Sequence, residues 1–484
     1  LYFNNFKDRL ANFYWTVVSF VMKRGSKIIL SVLAVVIVLC VVYRLVNKAP
    51  SADLESNAQM EQIVASSECI SCHSADPKLP FYANFPVAGK LVQEDVRLGY
   101  RSFDMAPMME ALKNGRKINE VDLAKVEKVI ADGSMPLAKY YLVHWGSSLT
   151  DKETQMALAW AKSQRETFYP NPLADKEWAN ETVRPIQDSV PVDIRKVILG
   201  EMLYNDTRLS ADNTISCASC HGLNTGGVDN KAFSEGVGGQ FGGVNAPTVF
   251  NAYYNFVQFW DGRAATLADQ AAGPPVNPVE MACNSFDEIC DKLKADETFN
   301  KAFTEVYADG INQANITNAI QEFEKTLLTP NSRFDKYLKG DKTAMNADEV
   351  AGYELFKKYN CATCHVGENM GGQSYELMGI KQDYFADRGT ELTNEDNGRY
   401  KETKDERDRH RFKVPGLRNI ALTAPYYHDA TQATLEDAVV SMARYEVGEE
   451  LSQQEVQEIV AFLKTLTGEY KGKLLTNDNY PETK

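Results

Sequence analysis

The chain of 484 residues has few histidines and no recognisable nucleotide-binding motif. It contains six histidines in all. Because no phosphate-binding loop is present, the sequence gives no reason to expect a nucleotide cofactor. The formal net charge of −14 argues against a nucleic-acid partner and mildly favours a basic protein partner. The position of the scarce histidines is therefore more informative than the overall composition.

Three CxxCH motifs contain six of the nine cysteines and three of the six histidines. They are Cys69/Cys72/His73, Cys217/Cys220/His221 and Cys361/Cys364/His365. In this motif two thiols take up the vinyl groups of a haem and the histidine binds its iron. A zinc site would bring the pairs together as CxxC…CxxC, and a thioredoxin-like motif does not require the histidine. We therefore predict three covalently bound haem c groups, which are attached outside the bacterial cytoplasm.

Cys283 and Cys290 lie outside these motifs. In an oxidising compartment they could form a disulfide. They are seven positions apart, which is too far for a disulfide along one continuous helix. Pairing therefore requires a helix that begins only near Ser285, where the sequence up to Glu288 resembles a capping box. Two buried free thiols are the alternative, and the sequence leaves both possibilities open.

The longest apolar run, residues 28–43, is not followed by a small-x-small cleavage site. Its length is near the lower limit for a membrane span, so we predict a retained span rather than a cleaved signal peptide. Lys23, Arg24 and Lys27 precede it and keep residues 1–27 in the cytoplasm by the positive-inside rule. Residues 6–21 form either an interfacial helix on the lipid bilayer or an extension of the span. We expect a single-pass protein of the bacterial inner membrane with periplasmic catalytic domains.

Helix-start signals predict a mainly α-helical fold with three c-type cytochrome modules in tandem behind one N-terminal transmembrane helix. The expected boundaries are 1–50 for the cytoplasmic segment and anchor, 51–169 for the N-terminal haem domain, 170–192 for a linker, 193–340 for the second haem domain and 341–484 for the third. Capping boxes begin helices at Thr150, Asn346 and Ser452. Helices are also expected near 193–204, 285–307 and 314–328. The similar segments LGEMLY and GYELFKKY, before the second and third motifs, indicate that one module occurs repeatedly.

The first haem needs a second axial ligand, and Met135 on the turn Gly133-Ser-Met-Pro136 is the best candidate. His144 is the alternative. The nearby methionines at 105, 108 and 109 more plausibly pack a helix. Ligation by methionine and histidine raises the reduction potential and closes the iron to substrate, which suits an electron relay.

The second and third modules resemble the bacterial di-haem cytochrome c peroxidases over residues 190–470. The similarity rests on NAPTVFNAYYN at 245–255, QFWDGRA at 258–264, DQAAGPPVNPVEM at 269–281, SRFDKYLKGD at 332–341 and VPGLRNIALTAPYYH at 414–428. With the apolar run and the additional N-terminal motif, the chain is similar to the tri-haem, membrane-anchored branch, whose members include quinol peroxidases.

The resemblance implies a role for each module. The haem on His221 would be the peroxidatic haem, and the haem on His365 its electron-transfer partner with Met442 as second ligand. Trp260 matches the tryptophan between these two haems. The residues matching the ligands of one calcium ion are Asn245, through its amide oxygen, and Thr423 and Pro425, through their carbonyls. Oxygen-only ligation is typical of calcium.

One position departs from many relatives, in which a histidine of the glycine-rich loop blocks the peroxidatic iron until the partner haem is reduced. The corresponding residue here is Val237, and no other histidine lies between His221 and His365. We therefore predict an iron that is open to peroxide even in the fully oxidised protein, without reductive priming.

Glu280 and Gln270 are the candidate catalytic residues. Cleavage of hydrogen peroxide requires a proton to move from one oxygen to the departing one, and a carboxylate can accept and then donate it. We assign this role to Glu280, with Gln270 orienting the peroxide. Without the resemblance, both would be interpreted as solvated polar residues beside prolines.

The resulting hypothesis is a peroxidase in which electrons pass from membrane quinol through the N-terminal haem, the electron-transfer haem and Trp260 to the peroxidatic haem. A small periplasmic cytochrome c is the alternative donor. A non-catalytic tri-haem conduit would require two strong ligands on the second iron. A di-haem enzyme that oxidises a protein side chain would have a tyrosine ligand, against which Met442 argues. The sequence leaves homodimerisation open.

Overall fold

A computed structural model describes residues 31–43, 47–137, 140 and 147–479 of the chain. Within them the fold is mainly helical, with short turns of 3₁₀ helix between the longer elements. The chain divides into two compact units, one formed by Leu1–Ser71 and Val129–Trp160, the other by Cys72–Lys128 and Ala161–Lys484. Residues 1–27, for which we predict a cytoplasmic position, and His144 lie outside the described residues.

The helices in chain order are α1 (31–43), α2 (Ser56–Ser66), α3 (Ala88–Ser102), α4 (Ala106–Lys113), α5 (Glu120–Ala131), α6 (Asp151–Phe168), α7 (Ile194–Tyr204), α8 (Cys217–Cys220), α9 (Leu267–Ala271), α10 (Phe286–Lys294), α11 (Glu297–Thr304), α12 (Gln313–Glu324), α13 (Arg333–Leu338), α14 (Ala347–Lys358), α15 (Cys361–Cys364), α16 (Tyr384–Arg388), α17 (Tyr400–Thr403), α18 (Leu435–Met442) and α19 (Gln453–Lys464). Strands β1 (Tyr375–Leu377) and β2 (Arg411–Lys413) pair antiparallel, with Tyr375 opposite Lys413. Strands β3 (Glu469–Tyr470) and β4 (Lys473–Leu474) form a second antiparallel pair.

The apolar run at 28–43 is helical from residue 31 onward, and its described side chains are exposed. Residues 28–30 lie outside the described part of the chain. Among the helices that the structure describes, none combines the length and the apolar character that crossing a bilayer requires.

The helix starts predicted from the capping residues Thr150, Asn346 and Ser452 are confirmed. The Thr150 hydroxyl accepts a hydrogen bond from the Glu153 N–H, and the Glu153 carboxylate accepts one from the Thr150 N–H, at the start of α6. The same reciprocal bonds cap α14 at Asn346 and α19 at Ser452. The single helix expected at 285–307 was wrong, because it is divided into α10 and α11. Asp296 interrupts it by accepting a hydrogen bond from Phe299 as a new N-cap.

The second and third modules share one packing device, which supports the internal repeat. An ideal Cβ on Gly200 of α7 would lie 2.0 Å from the Ala319 carbonyl oxygen of α12, and one on Gly352 of α14 would lie 1.9 Å from that of Glu458 in α19. Only glycine permits helices to approach this closely. Four residues after each glycine an aromatic ring packs on a phenylalanine of the partner helix, with centroid separations of 5.2 Å and 5.3 Å. Each helix pair thus forms the scaffold of one haem motif.

The segment at 170–192, for which we predict a linker, is irregular apart from a 3₁₀ turn at Lys176–Trp178. Most of its larger apolar side chains are nevertheless buried, with the exception of the exposed Leu173, and Trp178 and Val183 belong to the same core cluster as Phe334 and Phe462. Arg184 is also buried and forms ion pairs with Glu120 and Glu368. The segment is therefore packed against the helices of its unit rather than extended through solvent.

Candidate active site

The three CxxCH motifs begin short helical turns. Cys217–Cys220 and Cys361–Cys364 are single α-helical turns, and Cys69–Ser71 is a 3₁₀ turn. A one-turn helix brings two thiols three residues apart onto one face, as a haem with two vinyl groups requires. In the first motif Cys69 belongs to the first unit, whereas Cys72 and His73 belong to the second.

The histidines of the motifs are all held in the same tautomer. Each ring Nδ1 lies within hydrogen-bonding distance of a backbone carbonyl oxygen, at 3.0 Å for His73, 3.3 Å for His221 and 2.9 Å for His365. A carbonyl can only accept, so Nδ1 carries the proton and Nε2 presents its lone pair. Burial also lowers the pKa of all three imidazoles. Neutral imidazoles with a free Nε2 are the form that binds iron.

The thiols of the second and third motifs lie in surroundings that disfavour thiolate. Burial raises the pKa of Cys217, Cys361 and Cys364 to about 12. A zinc site requires deprotonated cysteines, whereas thioether attachment of haem does not. The residues present therefore fit covalent haem c better than a metal–thiolate centre.

Glu280 and Gln270 lie on the loop system beside the second motif. Asn277 donates a hydrogen bond of 2.9 Å from Nδ2 to Glu280 Oε1. Burial raises the pKa of Glu280, while the Arg263 guanidinium and the Asn277 hydrogen bond lower it, and the net change is upward. The Glu280 carboxylate in turn raises the pKa of Cys220, after the larger effect of burial. Glu280 is therefore close to the second haem motif and carries a carboxyl group suited to proton transfer.

Gln270 and Glu280 are connected by short helical elements. Gln270 is the penultimate residue of α9, which begins with reciprocal capping bonds between Thr266 and Asp269. Pro274–Val276 forms a 3₁₀ turn that leads from α9 toward Glu280. The Gln270 side chain makes no hydrogen bond with any residue in the described part of the chain, so its amide is available to a ligand.

The glycine-rich loop lies directly against Glu280. The Val237 N–H donates a hydrogen bond of 2.8 Å to the Glu280 carbonyl. An ideal Cβ on Gly236 would lie 2.5 Å from that same oxygen, which explains the glycine at this position. The residue that the loop presents beside Glu280 is thus a valine, whose side chain has no atom that can bind iron.

Trp260 connects the second and third modules. Its indole Nε1 donates a hydrogen bond of 2.9 Å to the Asn245 carbonyl, and its own carbonyl accepts one of 2.8 Å from the Lys413 N–H. The ring stands edge-on to Phe412 and to His428, with centroid separations of 6.4 Å and 6.3 Å. The role of Trp260 between two haems stays a prediction.

The predicted calcium ligands form a set of oxygen donors. Asn245 uses its amide nitrogen to donate to the Lys231 carbonyl at 2.9 Å, so its oxygen is left for another partner. Asn230, the neighbour of Lys231, donates to the carbonyls before and after Thr423. Among the described residues, no group donates to the carbonyl oxygens of Thr423 or Pro425. Such unpaired oxygens fit a hard cation.

The two candidate methionine ligands occupy turns at helix ends. Met442 is the last residue of α18, is half-buried, and is followed by a π-helical turn at Ala443–Val447. Met135 follows α5, is also half-buried, and belongs to the first unit, whereas His73 belongs to the second. Their ligation of iron stays a prediction.

Several residues of the site did not follow from sequence reasoning. Asn277 and Arg263, which lower the pKa of Glu280 against the larger effect of burial, had only their proximity in the chain as a signal. Asp396, His428 and Asp429 converge, but the Arg388 guanidinium bridges both carboxylates. Because that guanidinium already pairs with both carboxylates, we assign the cluster a structural ion-pair role rather than a metal site. Cys283 and Cys290 are free buried thiols, with Cys283 preceding α10.

Comparison with known proteins agrees with this geometry. The family described as di-haem cytochrome c peroxidase matches residues 194–343, the haem-binding domain family matches residues 33–163, and the cytochrome c family matches residues 349–467. With a peroxidase relative that covers most of the chain, these matches show that the chain belongs to the di-haem cytochrome c peroxidase family. It is a haem c peroxidase that acts on hydrogen peroxide.

That relative is the cytochrome c peroxidase Ccp of Escherichia coli (strain K12), which is 48% identical over 429 residues, or 88% of this chain and 92% of the relative. The cytochrome c551 peroxidase of Nitrosomonas europaea is 49% identical over 296 residues, or 60% of this chain and 85% of the relative. Among solved structures, a MauG-like protein associated with microbial copper homeostasis is similar, with a TM-score of 0.53 and 28% identity over 59% of this chain and 93% of the other.

Proposed function

We propose that this chain is a membrane-anchored tri-haem peroxidase that reduces hydrogen peroxide to water with electrons from the quinol pool. The electrons pass from the N-terminal haem to the electron-transfer haem on His365 and then to the peroxidatic haem on His221. The apolar run at 28–43 is the anchor, and the haem domains lie in the periplasm. The observation that carries the relay is a bridge of contacts between the first and third haem motifs.

The bridge is centred on Lys125 of α5. His73 donates from Nδ1 to the Phe103 carbonyl, and the Lys125 ammonium lies 5.7 Å from the centroid of the Phe103 ring. On its other side the ammonium lies 2.7 Å from Glu376 Oε1, in β1. The charges of both Glu376 and Lys125 act on the pKa of Cys364, raising and lowering it respectively, after the larger effect of burial. A single ion pair therefore connects the surroundings of the two haems.

Arg184 adds a second link between α5 and the third haem motif. Its guanidinium, 9% exposed, binds Glu120 at the start of α5 and Glu368, three residues after His365. Removing one partner of an ion pair this well shielded from solvent strongly destabilises the fold, because the other charge is left buried without a counter-charge. These buried ion pairs therefore help to hold α5 beside the third haem motif.

At the peroxidatic centre, a haem held by Cys217, Cys220 and His221 would supply the iron that binds peroxide and exchanges electrons. Glu280 accepts a proton from one peroxide oxygen and donates it to the departing oxygen, so that water leaves. Gln270 orients the peroxide by hydrogen bonds. Overall one hydrogen peroxide, two electrons and two protons give two water molecules. Val237 leaves the centre accessible in the oxidised protein, so turnover begins without priming. Calcium, held by Asn245 and the carbonyls of Thr423 and Pro425, stabilises the junction near Trp260.

Quinol is favoured as the donor by exposed apolar side chains at the start of α3, a helix whose other end packs against the first haem motif. Phe81, Phe85, Val87 and Leu91, at the start of α3 and just before it, are 77%, 53%, 75% and 61% exposed. The other end of α3 packs closely against the motif, because an ideal Cβ on Gly99 would lie 2.7 Å from the Cys72 carbonyl oxygen. Exposed apolar clusters of this kind mark contact with apolar partners. A small cytochrome c as donor remains the second candidate.

The relay is tested by Lys125→Met, with Lys113→Met as a control that removes an exposed lysine of α4. In stopped-flow experiments, quinol should reduce the first haem of the Lys125→Met variant at the wild-type rate. The third haem of this variant should be reduced more slowly than in the wild type. Peroxide reduction driven by a small artificial reductant should be retained. Transfer from the first to the third haem at the wild-type rate would refute the bridge as the route.

A further inference from the structure

Lys413 is a buried lysine without a counter-charge. It ends β2, is 6% exposed, and its side chain forms no ion pair and no hydrogen bond with any residue that the structure describes. Burial lowers its pKa to about 8. Lysine is almost never fully buried unless it is paired, because removal of an ammonium from water costs several kcal/mol.

The carboxylates on neighbouring elements are already engaged. Glu376 of the paired strand binds Lys125, Asp261 after Trp260 binds Arg263, and Asp396 binds Arg388. None of these carboxylates affects the pKa of Lys413. Burial alone lowers that pKa. The described chain therefore offers no anion to this ammonium, although the fold brings it to an enclosed position.

The position of Lys413 indicates which anion is missing. Its N–H donates to the Trp260 carbonyl at 2.8 Å. The next residue, Val414, accepts a hydrogen bond of 2.7 Å from the Gly372 N–H, and Met370, two residues before Gly372, accepts one of 2.9 Å from Nδ1 of His365. Lys413 is thus placed between the third haem motif and Trp260. A haem attached at Cys361 and Cys364 carries two propionate carboxylates, and these are the anions that covalent attachment would bring into this region.

We propose that Lys413 forms an ion pair with a propionate of the haem bound by His365, on the side of that haem that faces Trp260. The inference depends on haem attachment at the third motif and is independent of whether quinol is the donor. The pair satisfies the buried ammonium and neutralises a negative charge beside the iron. Because a neighbouring anion favours the ferric state, neutralising it raises the reduction potential of this haem. Lys413 is therefore a positioning residue for the electron-transfer haem.

The test is a spectroelectrochemical titration of the purified holoprotein and its variants. Lys413→Met and Lys413→Gln should shift one haem transition to lower potential and leave the others unchanged, whereas Lys413→Arg should keep the wild-type value. Lys358→Met removes a lysine that is 60% exposed just before the same motif and should leave all potentials unchanged. Haem content, measured by mass spectrometry, confirms that each variant is fully loaded.

Two results would overturn the proposal. One is unchanged potentials in both neutral variants with full haem content. The other is an equal shift in Lys413→Arg, which would show that packing rather than charge is responsible. If Lys413→Met does not fold, Lys413→Gln gives the same comparison, because glutamine keeps a polar end without the charge.

Discussion

Replacement of Glu280 by glutamine tests the chemistry at the peroxidatic centre. Glutamine keeps the size of the side chain and a carbonyl oxygen that can accept the 2.9 Å hydrogen bond from Asn277. The surrounding loop, including the bond from Val237 to the backbone carbonyl of residue 280, is unaffected. The variant therefore removes the ability to transfer a proton and leaves the geometry in place.

The expected loss is that of a general acid–base catalyst. Such a group typically contributes a factor of about 100 to 10,000, which corresponds to about 2.7–5.4 kcal/mol of transition-state stabilisation. Because burial raises the pKa of Glu280, the rate in the wild type should fall with decreasing pH at a value above that of an ordinary glutamate. The carboxylate must be ionised to accept the first proton, so activity is lost on the acid side. This acid limb should be missing in Glu280→Gln.

The assay is steady-state peroxide reduction across pH with an artificial reductant, so that the donor site has no influence. Glu235→Gln is the matched control, because it changes a carboxylate of the adjacent loop that is 50% exposed. The haem spectrum should be the same in all three proteins. Near-normal turnover by Glu280→Gln, or an acid limb that persists in it, would refute the assignment.

Three further predictions follow from the geometry. Trp260→Phe removes the bond to Asn245 and the indole, and should slow electron transfer between the second and third haems without changing peroxide binding; unchanged single-turnover rates would contradict the relay role. Val237→His should give a low-spin second haem in the oxidised EPR spectrum and a lag before turnover, whereas a wild-type spectrum would argue against the placement of this loop. Gly352→Ala should lower the free energy of unfolding by about 1–3 kcal/mol in denaturant titrations, because its Cβ would lie 1.9 Å from the Glu458 carbonyl; an unchanged midpoint would show that the helices can separate freely.

Local signals in the sequence were sufficient for much of the fold. The capping residues Thr150, Asn346 and Ser452 bind the backbone three residues ahead, so their pattern is readable without tertiary information. The helix break at Asp296 was missed because an acidic residue at that position is equally compatible with an exposed helix face. The repeat was recognisable from the similar sequence segments before the second and third motifs. The close helix contact at Gly352 is apparent only in the structure.

The polar interior was much less predictable. Arg184 lies in a segment with little periodicity, and its partners are separated from it by 64 and 184 positions. Lys413 carries no sequence signal of burial, since a lysine at a strand end is ordinarily solvated. For the proposed catalytic residues, the resemblance pointed to Glu280 and Gln270, whereas the hydrogen bond from Asn277 depends on how the loop folds.

The decisive measurement is anaerobic oxidation of quinol by the purified full-length protein, with and without hydrogen peroxide, from the fully oxidised state. We expect quinol oxidation that requires peroxide, consumes one quinol per peroxide, and begins without a lag. Turnover with a reduced small cytochrome c but not with quinol would contradict the proposed donor. Absence of turnover with either donor would contradict the proposed relay.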